Sequence, residues 1–84
     1  MSINLERAAM RGKLAQTKEK KLRLENKFYG LARSLRQGLN PVLADAIEDI
    51  EIPQLSEMWA DLEMCWAEII SLRGDMERLE KELD

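Results

Sequence analysis

The chain has 84 residues, 45% hydrophobic and 35% charged, with four Gly, two Pro, one Cys and no His. Such a length holds one domain with a thin core, and this composition belongs to long helices, excluding β-rich and disordered classes. A net charge of −3 hides strong polarity: Met1 to Asn40 carries ten Lys or Arg against three Glu, while Pro41 to Asp84 carries three against thirteen Asp or Glu.

Asn4 is placed to cap a helix that starts at Leu5 and meets no proline until after residue 37. Gly12 and Gly30 weaken it locally, and Gly38 reads as its stop, in the left-handed conformation that closes many helices. A helix over 5–37 is about 50 Å long at 1.5 Å per residue. The connector GLNPVLADAIEDIEIPQ follows. Asn40 and Pro41 predict the cap and first turn of a short helix over about 41–50. Val42, Leu43, Ala46, Ile47 and Ile50 recur at helical spacing and predict that it packs. Pro53 opens the next element, a helix over about 53–83 and roughly 45 Å long by the same rise. Two rods of similar length joined by a short segment predict a single all-α domain over 1–84, an antiparallel two-helix hairpin of coiled-coil type.

Heptad spacing supports the hairpin. In the second rod Leu55, Leu62, Ile69, Met76 and Leu83 alternate with Met58, Cys65, Leu72 and Leu79 in an unbroken seam. In the first, Leu14, Lys21, Phe28 and Leu35 alternate with Met10, Thr17, Leu24 and Leu31, so that Thr17 and Lys21 interrupt it near the middle. A polar pair there costs stability but helps specify register and partner number, and a Lys stem covers apolar surface while its ammonium reaches water. Beside the seams run Asp61, Glu68, Asp75 and Glu82 in the second rod and Lys13, Lys20 and Lys27 in the first. An antiparallel pairing brings these rows face to face, which predicts interhelix charge pairs that choose register more than they add stability.

One hairpin leaves apolar surface uncovered. Leu22 and Tyr29 lie beside the first seam, and Trp59, Trp66 and Ile70 beside the second. Faces this broad predict contact with further helices, and a homodimer forming a four-helix bundle is the favoured architecture, with docking on a larger protein as the rival use of the same surface.

No chemistry competes with that reading. The absence of His removes the commonest general base and transition-metal ligand, so no catalytic residue and no metal or cofactor site is assigned. Asp45, Glu48, Asp49 and Glu51 cluster in the connector without the alternating ligands and central Gly of a calcium loop, and read as a solvated acidic turn. Cys65 sits on the seam as a small hydrophobe. A single Cys, no cleavable leader and no long apolar run predict a soluble, cytoplasmic protein without a membrane span. The alternative function is a nucleic-acid-associated accessory factor. It would use Arg7, Arg11, Lys18 and Arg23, four basic residues of the first rod that lie outside the lysine row. Direct nucleic-acid binding ranks below protein association, because Phe28 and Tyr29 are better used in packing than in base stacking.

The opening INLERAAMRGKLAQTKEKKLRLENKFYGLARSLR and the ending EIISLRGDMERLEKELD, joined through an NP-containing connector, resemble small helical-hairpin proteins encoded in Mu-like prophages. The resemblance spans nearly the whole chain, implies a helical hairpin in a prophage accessory setting, and carries over no catalytic or binding residue. Secretion-system needle subunits have a shorter turn, and the WXG family of secreted dimers needs a Trp-x-Gly that this connector lacks.

Overall fold

In a computed structural model, which describes residues 2–40, 42 and 45–84, the chain forms two long helices, α1 (Ser2–Gly38) and α2 (Ile52–Leu83), with a turn of 3-10 helix at Ile47–Asp49 between them. The molecule is a rod of 68 × 15 × 15 Å. Contacts run in opposite directions along the helices: Leu35 clusters with Leu55, the Cys65 thiol donates to the Leu24 carbonyl at 3.1 Å, and Arg7 donates to the Leu83 carbonyl at 2.5 Å. The pairing is antiparallel, as the charge asymmetry and matched lengths predict.

Packing follows the heptad pattern closely. On α2 all nine seam residues are buried or half-buried, and the only other residue in that class is Asp75. On α1 all eight seam residues are likewise removed from full exposure, joined by Glu25 and Ala32. The core proper is small: Leu35, Leu55, Leu62, Cys65 and Leu79 are the buried side chains among the described residues. Leu35, Leu55 and Leu62 form its main cluster at the connector end, with Phe28, Leu31, Ala32, Ile50 and Met58 packed around them.

The two polar seam residues are satisfied within α1. Thr17 Oγ1 donates to the Lys13 carbonyl at 2.8 Å, and Lys21 Nζ meets Glu25 Oε1 at 3.1 Å, one turn along the same helix. Neither polar group is left orphaned by burial against α2.

Helix ends differ from expectation in three places. First, α1 begins at Ser2, so Asn4 lies inside the helix instead of capping it; nothing in the preceding residues is a Gly or Pro that would halt the helix there. Second, Gly38 ends α1 without a positive φ. The backbone closes through Leu39 N–H to the Leu35 carbonyl at 3.0 Å and Asn40 N–H to the Gln37 carbonyl at 3.2 Å. Asn40 Oδ1 then accepts from Val42 N–H at 3.1 Å, a local bond that competes with helix continuation, and a residue before proline disfavours helical backbone. Gly38 is needed for room: a Cβ there would run into Leu55 Cδ2. Third, the connector is no continuous helix over 41–50. Asp45 and Ala46 form a bend that separates Val42, in 3-10 conformation, from the 3-10 turn at Ile47–Asp49. Val42 is 86% and Ile47 81% exposed, and among the described connector residues Ile50 alone reaches the core cluster. The helix ends already close their own core with Leu35 and Leu55, which leaves Val42, Ala46 and Ile47 no apolar face to cover. Pro41, the predicted first turn of that helix, and Leu43 and Ala44 within it fall outside the described residues. Pro53 takes the second position of α2, where its missing N–H costs nothing.

Candidate interaction surface

Trp59 and Trp66 stand seven residues apart, each one position beyond a seam residue (Met58 and Cys65), so both project from the same flank of α2. Tyr29 follows the seam residue Phe28 on α1, and Leu22 stands seven residues before Tyr29. Antiparallel pairing lays these flanks side by side. Phe28, Trp59, Leu62, Glu63 and Trp66 line a shallow groove of about 270 Å³. A second, of about 170 Å³, is lined by Glu25, Phe28, Tyr29, Trp66 and Ile69. Phe28 and Trp66 belong to both, so the two join into one apolar trough across the helix pair. The Phe28 and Tyr29 rings meet edge to face, 6.2 Å between centroids and 84° between planes.

These aromatics are half outside the fold: Trp59 is 55%, Trp66 58%, Tyr29 62% and Leu22 59% exposed, with Ile70 at 37% on the next turn beyond Trp66. Tyr29, Trp59 and Trp66 are thus brought together at the trough, whereas Leu22 and Ile70 extend the same flank without lining it. Met64, 66% exposed, is a large apolar residue that heptad reading passed over because it stands outside the seam and its neighbours.

The lysine and carboxylate rows occupy the opposite flank. Lys13, Asp75 and Glu82 line one polar groove there together with Thr17, Arg78 and Leu79. Yet none of Lys13, Lys20 and Lys27 forms an ion pair with Asp61, Glu68, Asp75 or Glu82 among the described residues. Asp75 pairs with Arg78 on its own helix, and the ion pair that joins the helices is Lys18 with Glu80 at 3.7 Å. That pair lies on the tryptophan flank, since Glu80 continues the seven-residue row of Trp59, Trp66 and Arg73. Both its side chains are half exposed, so it contributes little to stability.

Two of the four nucleic-acid candidates are engaged within the hairpin. Arg7 holds the Leu83 carbonyl and Lys18 holds Glu80, while Arg11 and Arg23 are exposed and make no ion pair among the described residues. Cys65 is 3% exposed. Asp45, Glu48, Asp49 and Glu51 are all exposed, and among the described residues no group of three or more His, Cys, Asp or Glu is placed to hold a metal ion. None of the described helices is long and apolar enough to cross a membrane. No family model matches this chain, and neither a curated protein nor a solved structure does.

Proposed function

We propose that the protein is a non-enzymatic assembly module whose hairpin self-associates through the flank carrying Leu22, Tyr29, Trp59, Trp66 and Ile70, forming a homodimeric four-helix bundle in the cytoplasm. The observation that carries this reading is the pair of half-exposed tryptophans beside a trough floored by Phe28 and Leu62. Covering what remains exposed of each indole would contribute about 2–3 kcal/mol before ordering costs. A one-layer hairpin cannot cover it alone, whereas a second hairpin laid on the same flank would complete a core on both sides of the trough. Cys65, lacking a second Cys in the sequence, fits a reducing compartment. A prophage accessory role belongs to the same reading and is carried by the likeness of the helix sequences.

Light scattering tests it. The expected solution mass is twice the 9.7 kDa of one chain, and the double substitution Trp59→Glu with Trp66→Glu should return a single-chain mass. A wild-type protein of one-chain mass at micromolar concentration would overturn self-association.

A further inference from the structure

Two hairpins packed through this flank can be related by a twofold axis along the rod or by one across it, and the two arrangements put different helices together. Levels along the rod follow from the contacts that join α1 to α2, Leu24 with Cys65, Leu35 with Leu55 and Arg7 with Leu83. Tyr29 then lies at a level between Trp59 and Leu62, and Leu22 at a level between Trp66 and Ile70. With the axis along the rod, α1 of one copy packs on α2 of the other at unchanged level: Tyr29 beside the partner's Trp59, and Leu22 between the partner's Trp66 and the partner's Ile70, twice by symmetry. With the axis across the rod, α1 packs on α1 and α2 on α2.

Charge separates the two. Helix α1 carries ten Lys or Arg against three Glu, net +7, and α2 carries eight Asp or Glu against three Lys or Arg, net −5. Only one ion pair joins the helices among the described residues, so most of this charge faces outward unpaired. An axis across the rod sets basic helix on basic helix and acidic on acidic, whereas an axis along it surrounds each helix with helices of opposite charge. We propose that the second copy of this chain docks pointing the same way, each basic α1 against the partner's acidic α2, an arrangement that rests on the self-association reading above. Two like-charged approaches accompany it, Lys18 towards the partner's Arg73 and Glu25 towards the partner's Glu63. Lys18 is already held by Glu80 and Glu25 by Lys21 within their own hairpin, which blunts both.

A nitroxide at the open end of the hairpin reads the direction. Lys81 is exposed and lies off the tryptophan row; in a Cys65→Ser chain the substitution Lys81→Cys gives one label per copy. Hairpins pointing the same way place the labels at one level, separated by little more than helix spacings, under about 30 Å. Opposed hairpins separate them along the rod by about 45 Å at 1.5 Å per residue. If Cys65→Ser disturbs the seam, the label is introduced beside the native thiol, which is 3% exposed and shielded from the reagent. A one-chain mass would overturn self-association and this arrangement with it. A two-chain mass with the long distance would overturn the arrangement alone.

Discussion

Gly38 shows how one missing methyl positions two helices. Its Cα faces Leu55, and an added Cβ would collide with Cδ2 of a side chain that is itself 6% exposed and part of the main cluster. Because Leu55 packs against Leu35 and Leu62, it cannot turn aside without opening that cluster. Gly38→Ala should therefore destabilise the hairpin by about 1–3 kcal/mol, read as a lower urea midpoint. Gly30 and Gly74 give the opposite sign. Both sit in helix interiors with nothing within 4 Å of a built Cβ and with no positive φ, so Gly30→Ala and Gly74→Ala should each stabilise by about 0.5–1 kcal/mol. An unchanged midpoint for all three would mean that the helix ends and interiors are not closed as described. The contact at Gly38 could not be read from sequence, where the residue looks like an ordinary helix stop. The reason for glycine is a neighbour seventeen positions away, and local propensity carries no record of it.

At the scale of elements, the two rods and their seams were legible because a strict alternation of three and four spacings allows one buried stripe and no other. Every seam position on α2, from Leu55 to Leu83, is drawn away from solvent. The connector was not legible, since apolar residues at helical spacing imply burial only where another face awaits them. Val42 and Ile47 find none, and Ile47→Ser should change stability by less than about 0.5 kcal/mol in the same denaturant assay. The lysine and carboxylate rows share a flank, as Lys13, Asp75 and Glu82 show, but do not close into pairs. Exposed ions gain little from a fixed partner in high dielectric, so heptad phase places such groups near one another without holding them together. Thr17 and Lys21 offer a sharper test. Their polar atoms bond within α1, so removing both side chains orphans nothing on α2. Replacing both with Leu should raise the thermal midpoint by several degrees, through about 1–2 kcal/mol of added seam burial. A fall in the midpoint would mean that these residues hold a contact across the seam.

The whole molecule is long and thin, and its stability should depend on company. Among its described residues only five side chains are buried, none of them with less than 2% of its surface exposed, while two tryptophans and a tyrosine stand more than half in solvent. A rod 15 Å across has room for a single layer of interhelix contact, and a chain of 84 residues buries a modest share of its surface even when globular. If a second hairpin supplies the missing layer, folding and association are one equilibrium, and mass action then favours the folded state as protein concentration rises. Thermal melts over a hundredfold range of concentration, followed by helical circular dichroism, should show the midpoint climbing with concentration for the wild type. The Trp59→Glu, Trp66→Glu double variant should melt lower, at a midpoint independent of concentration, because its flank no longer closes on a copy of itself. A wild-type midpoint that stays fixed across that range would place all the stabilising contacts inside one hairpin, and the exposed indoles would then contribute nothing to the folded state.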